Sequence, residues 1–160
     1  MIERIVSRGG MVKNLHGQKN LYYQVNATYY SALGASDEKM LLARAIQMFM
    51  PGKPQVWYLD LFAGKNDHEA VQRAGESGHK EINRTNLSTD QITEGLKKDV
   101  VQKQLALIRM RNTHKAFSEG AEVAISGGER SLEIRWEYNS AFATLYVNFE
   151  SGTYTIVESK

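Results

Sequence analysis

The sequence predicts an α/β unit followed by a small antiparallel β region. Three observations carry this: an apolar stretch at 40–50 that reads as a buried helix, a continuous apolar run at 55–62 just past a Pro-Gly break, and a change to period-two alternation after Phe117. Ser36 is a good N-cap for the helix, and Asp37 and Glu38 suit its positive end. The run from Met40 to Met50 is apolar nearly all round, so the helix should be largely buried. Pro51-Gly52 and Pro54 end it. The stretch Gln55-Val56-Trp57-Tyr58-Leu59-Asp60-Leu61-Phe62 does not alternate, which is the pattern of a parallel strand covered on both faces.

Residues 63–87 show no sustained period and are expected to be one long loop, a length that usually signals function or disorder. Ser88 with Gln91, and Asp99 with Gln102, read as two capping boxes. The second opens a helix over about 100–111 with Val101, Leu105, Ile108 and Asn112 on one stripe and Lys103, Gln104 and Arg111 on its polar face. Further on, Leu132, Ile134, Trp136 and Tyr138 alternate with polar neighbours, and a second alternating run covers 142–149. Turns are signalled at Ser126-Gly127-Gly128, Tyr138-Asn139-Ser140 and Ser151-Gly152, with a last strand at 153–157. A buried parallel strand needs parallel neighbours, yet only 55–62 fits that role. Either other polypeptide completes the sheet or these residues are not a strand.

With 160 residues, 42% of them hydrophobic, the chain can bury a core. Twenty Lys and Arg against 18 Asp and Glu leave a net charge of +2, which implies no nucleic-acid partner. There are no cysteines, so disulfides and thiolate metal sites are excluded and a reducing, cytoplasmic setting is expected. No apolar run approaches the ~18 residues that would span a bilayer, and the opening residues lack a signal-peptide layout, so no membrane association is expected.

The four histidines, His16, His68, His79 and His114, are too scattered for a zinc site, and no metal or cofactor is expected. No nucleophile elbow, P-loop or dinucleotide fingerprint is present, and Gly9-Gly10 and Gly127-Gly128 read as turn glycines. Glycosyl transfer needs two carboxyl groups, about 5 Å apart in retaining enzymes. Asp60 and Asp67 are the internal candidates, and the simpler reading of each is a loop cap. Tyr22, Tyr23, Tyr29 and Tyr30 offer apolar faces with hydroxyl handles for a sugar, though packing into the core is the commoner fate of such rings. Arg84, late in the expected loop, could bind a hydroxyl or a phosphate.

Several segments together resemble one family. Tyr23-Gln24-Val25-Asn26 with Thr28-Tyr29-Tyr30-Ser31-Ala32-Leu33 is similar to the segment after the seventh barrel strand of sucrose phosphorylases, members of the α-amylase superfamily. Ala43-Arg44-Ala45-Ile46-Gln47, then 51–58, then Ala63-Gly64-Lys65-Asn66-Asp67, resemble the seventh helix, eighth strand and following loop. Ile82-Asn83-Arg84 and 111–117 extend the match.

The resemblance implies the last units of a (β/α)₈ TIM barrel at 1–117, incomplete in this chain, followed by an antiparallel β C-terminal domain at 118–160. It implies a retaining double displacement that moves glucose from sucrose to phosphate, giving α-glucose 1-phosphate and fructose, with no cofactor. Phosphorylases for sucrose 6'-phosphate or glucosylglycerate are alternatives, as is a module that binds carbohydrate or a partner chain without chemistry. No catalytic residue is assigned on this chain, because the family's acids would lie upstream of Met1. Substrate binding falls to Tyr23, Gln24 and Arg84. A partial barrel should also self-associate through its exposed edge.

Overall fold

The computed structural model describes residues 1–15, 18 and 21–159, except the side chains of Glu76 and Ser77, and His16 lies outside the described residues. In chain order the elements are α1 (Ile2–Val6), β1 (Met11–Asn14), β2 (Tyr22–Asn26), α2 (Tyr29–Ala32), α3 (Asp37–Phe49), α4 (Tyr58–Leu61) and α5 (His68–Ala74). A 3₁₀ segment (Gly75–Asn83), α6 (Thr89–Gly95), α7 (Asp99–Thr113), a 3₁₀ turn (Lys115–Phe117) and β3 (Glu122–Gly127) follow. The chain closes with β4 (Ser131–Tyr138), β5 (Ala141–Asn148) and β6 (Thr153–Glu158). Two compact units form: Met1–Met40 with Val56–Val101, and Leu41–Gln55 with Gln102–Lys160. The sequence boundary at 117/118 runs through the second.

In the second unit, β3, β4, β5 and β6 form an antiparallel meander in that order, as the alternation predicts. Register is set by the turns. Tyr138 pairs with Ala141, leaving a two-residue loop in which Asn139 takes φ 54°, a left-handed conformation that asparagine tolerates. At Gly127, φ is 152° and a Cβ would come within 2.4 Å of the Ser131 carbonyl oxygen, so this turn requires glycine. One sheet face buries Ile134, Trp136, Ala143, Leu145 and Val147. The Trp136 indole N–H donates to the Phe49 carbonyl at 2.6 Å, satisfying an orphan acceptor at the end of α3. Arg111 of α7 lies over the rings of Phe117 and Trp136, 4.6 and 4.3 Å from their centroids, and donates to the Gly52 carbonyl.

Several expectations change. Residues 55–57 have no regular structure and 58–61 are helix, so the strand expected at 55–62 is not formed. Nor is the segment covered on both faces: Trp57 is 50% exposed. With no parallel strand beside it among the described residues, that backbone has no ladder to join. Residues 63–87 are not one loop either, since Asp67 starts α5 and the 3₁₀ segment follows directly. The Ser88–Gln91 capping box is present in both its bonds. By contrast, the second helix opens with Asp99 inside it and runs to Thr113, and its buried stripe is Val100, Val101, Gln104 and Leu107. Gln104 belongs to that stripe because its Oε1 accepts from the buried Arg44 Nε at 2.9 Å, a pairing a polarity pattern along one helix does not reveal.

Leu145 is fully buried at the centre of the sheet. Leu145→Ala should lower unfolding free energy by about 2–5 kcal/mol in urea titrations, whereas Val157→Ala, half-exposed on β6, should cost under about 1 kcal/mol.

Candidate sugar and phosphate site

The candidate site lies in the first unit, where β1 and β2 pair antiparallel with Val12 opposite Val25 and Lys13 opposite Gln24. Past β2 the chain turns into α2, and side chains from far along the sequence receive it. Thr28 N–H donates to Asn66 Oδ1 at 2.7 Å, Tyr29 N–H to Asp60 Oδ1 at 2.7 Å, and Asn66 N–H to Ser31 Oγ at 2.9 Å. The 3₁₀ segment comes against β2, where Asn83 Nδ2 donates to the Ala27 carbonyl at 3.3 Å. Trp57 and Tyr58 latch the same region, donating to the carbonyls of Asn83 (2.9 Å) and Thr85 (2.7 Å).

Between these walls opens a pocket of about 280 Å³ lined by Gln24, Asn26, Trp57, Lys80, Asn83 and Arg84. Its lining is three carboxamides, two cations and an indole, and it contains no carboxylate. Asn26 Nδ2 is buried without a hydrogen-bond partner among the described residues, which leaves an unmet donor at this site. Arg84 caps the 3₁₀ segment and sits 3.3 Å from Glu81 in a half-exposed pair that contributes little, so its guanidinium remains available to a stronger anion. Such a donor set suits a phosphate, a sugar phosphate or a hydroxyl-rich ring.

Of the three residues predicted from sequence, the structure brings Gln24 and Arg84 into one pocket. Tyr23 is 59% exposed and is not part of that lining. The tyrosines do not pack into the core as expected: Tyr22 and Tyr29 are also exposed, and Tyr30 donates to Asp37 at 2.8 Å, a bond that with burial pushes its hydroxyl pKa up to about 12. Asp60 and Asp67 both accept hydrogen bonds from backbone amides. Asp60 receives the Tyr29 amide, and Asp67 caps α5 through Ala70 N–H (2.8 Å) while its other oxygen accepts from Thr85 Oγ1 (2.8 Å). His68 is simply the first residue of α5. Among the described residues no cluster of His, Cys, Asp or Glu could hold a metal ion, and no helix is long and apolar enough to cross a membrane.

Sequence reasoning missed Trp57, Lys80, Asn83, Asn26 and His79. Lys80 and Asn83 carried a usable signal, because a spacing of three puts side chains on one edge of a 3₁₀ helix. Trp57 was hidden by its assignment to a strand. His79, 8% exposed, bonds to Gln24 through Nε2 at 3.2 Å, a contact across 55 residues that no local pattern encodes.

Comparison with known proteins agrees with this architecture. The chain is 54% identical over 98% of its length to a sucrose 6(F)-phosphate phosphorylase of Ilumatobacter coccineus, and 44% identical over 86% to a sucrose phosphorylase of Agrobacterium vitis. It spans 30% and 28% of those proteins. The crystal structure of sucrose 6F-phosphate phosphorylase from Thermoanaerobacter thermosaccharolyticum superposes with a TM-score of 0.91 at 37% identity, covering 99% of this chain and 33% of that one. No protein-family model matches the chain. Fold and sequence together define a C-terminal part of a sugar phosphorylase, ending in an antiparallel β domain. The particular family is that of the sucrose phosphorylases, including those named for sucrose 6F-phosphate.

Hydrogen bonds from Ala70 N–H and Thr85, with smaller help from Arg73, hold the Asp67 carboxyl below its ordinary range, against a small opposing cost of burial. Its stabilising effect is therefore present above the unfolded carboxylate pKa and is lost as pH falls through the lower folded value. Asp67→Ala should cost about 1 kcal/mol near pH 7 and flatten the acid limb of stability in urea titrations from pH 7 to 2, with Asp67→Asn costing less because asparagine also caps.

Proposed function

We propose that this chain supplies the acceptor side of a sucrose-type phosphorylase, in which the whole protein transfers glucose from sucrose to phosphate, giving α-glucose 1-phosphate and fructose with retention. In this reading residues 1–117 belong to the barrel and 118–160 to the C-terminal β domain, and Tyr23, Gln24 and Arg84 contact substrate. One observation carries it: the pocket that joins Gln24 to Arg84 is lined by donors and cations without a single carboxylate. Such a lining holds a phosphate or a hydroxyl-rich sugar and leaves acid, base and nucleophile to be provided elsewhere, since retaining transfer uses a pair of carboxyl groups. Asp60 and Asp67 are committed to the backbone amides they cap. The half-exposed Trp57 ring adds an apolar face on which a sugar ring can stack.

A second reading, a phosphorylase for a phosphorylated sucrose, is favoured by Lys80. Together with Arg84 it gives the pocket two cations, more than a neutral fructosyl group requires.

Titration of the purified chain with inorganic phosphate and with fructose 6-phosphate, followed by calorimetry, tests both. Arg84→Ala should weaken phosphate binding at least about tenfold, the loss of one charge-assisted hydrogen-bond donor, and Tyr23→Ala by less than about threefold. Fructose 6-phosphate binding that Lys80→Ala leaves unchanged would remove the second reading. The isolated chain should release no glucose 1-phosphate from sucrose and phosphate, and turnover by it would overturn the assignment of its carboxylates as structural.

A further inference from the structure

We propose that His79 is a positioning residue, its buried imidazole fastening Gln24 on one wall of the pocket to the 3₁₀ segment that carries Lys80, Asn83 and Arg84 on the other. The proposal rests on the reading of the pocket as an acceptor site and adds how its donors are kept in one preformed set. Gln24 presents Oε1 to the ring, and an amide oxygen only accepts, so the proton resides on Nε2. Anchoring one end of a long carboxamide removes rotamers it would otherwise lose on binding a ligand. The other bonds described across this pocket, from Asn83 Nδ2 to Ala27 and from Trp57 Nε1 to Asn83, end on backbone carbonyls. They tie lining side chains to backbone, whereas the His79 bond ties a lining side chain to another side chain.

The local backbone makes this placement possible. A Cβ at Gly78 would come within 2.5 Å of the Val71 carbonyl oxygen and 2.8 Å of the Ala74 Cβ, so the chain before His79 is seated against α5. Directly after it the imidazole is buried and Lys80 lines the pocket. Burial above all, and then the nearby ammonium groups of Lys13 and Lys80, keep the imidazole pKa below its ordinary value. His79 is accordingly a neutral donor at pH 7. A lysine or arginine here would set a buried cation beside the ammonium groups of Lys13 and Lys80.

The test uses the full chain, inorganic phosphate as probe, and four substitutions: His79→Leu, His79→Gln, Gln24→Leu and the His79→Leu/Gln24→Leu pair. His79→Leu should weaken phosphate binding about fivefold, and His79→Gln, which retains a donor nitrogen near the Nε2 position, should stay within about twofold of the parent. The pair should bind no more weakly than Gln24→Leu alone, the mark of two residues acting through one bond. Unchanged affinity in His79→Leu, in a chain where Arg84→Ala does weaken binding, overturns the proposal and leaves the acceptor site intact. Phosphate binding that is absent, or insensitive to Arg84→Ala, overturns the acceptor-site reading instead. The positioning role is then decided by the Gln24 side-chain amide resonances in ¹H–¹⁵N spectra without ligand. They should move toward free-carboxamide positions in His79→Leu and not in His79→Gln, and resonances that stay put sink the proposal. Should His79→Leu fail to fold, His79→Asn, whose shorter amide falls short of Gln24, replaces it with the same expected outcomes.

Discussion

The first unit depends on how the backbone amides opening α2 are satisfied. Four residues of helix cannot stabilise themselves, and their leading N–H groups have no partner within the helix. Thr28 Oγ1 takes the Ser31 amide locally, and Asn66 and Asp60 take those of Thr28 and Tyr29 from more than thirty residues away. Ser31 closes the circuit by receiving the amide of Asn66. These bonds bring the segment around α4 against the end of β2, which sets Trp57 and Gln24 at the same opening. The exposed aromatic surface there follows from the same requirement, since the chain is ordered by polar cross-links more than by burial.

How much of this was legible in the sequence depends on the range of the physics involved. The meander, its turns, α3 and the Ser88 capping box were readable because alternation, helical apolarity and caps act over a few residues. The stretch at 55–62 was misread because a run of Val, Trp, Tyr, Leu and Phe has the composition of a buried strand. Whether it becomes one is settled by neighbouring strands, and a composition holds no information about neighbours. Gln104 was placed on the polar face of its helix for a similar reason: its partner Arg44 is sixty residues away and buried beside it.

The candidate site divides in the same way. Gln24 and Arg84 were found through resemblance to a family, and the structure sets them at one pocket. Lys80 and Asn83 fall on one edge once the segment is known to be 3₁₀, because its three-residue period aligns them with each other, whereas Arg84 follows as the cap and pairs with Glu81. His79 and Asn26 emerged from the hydrogen-bond accounting alone, one as a bond made across the fold and the other as a donor left without a partner. Asp60 and Asp67 show the reverse case. A loop cap is the simpler reading of each from sequence alone, and each accepts a backbone amide at the start of a short helix.

The turns of the meander also bear on the order in which the molecule assembles. Two-residue and four-residue connections let β4, β5 and β6 pair through contacts close in sequence, the kind that form early because little chain entropy is lost in closing them. The pocket is stitched by bonds 26 to 56 residues apart, as in Trp57–Asn83, His79–Gln24 and Asn83–Ala27, which close only after long loops are drawn together. The pocket is thus a late product of folding and an early casualty of local opening, so its shape fades before the β meander shows any loss of order.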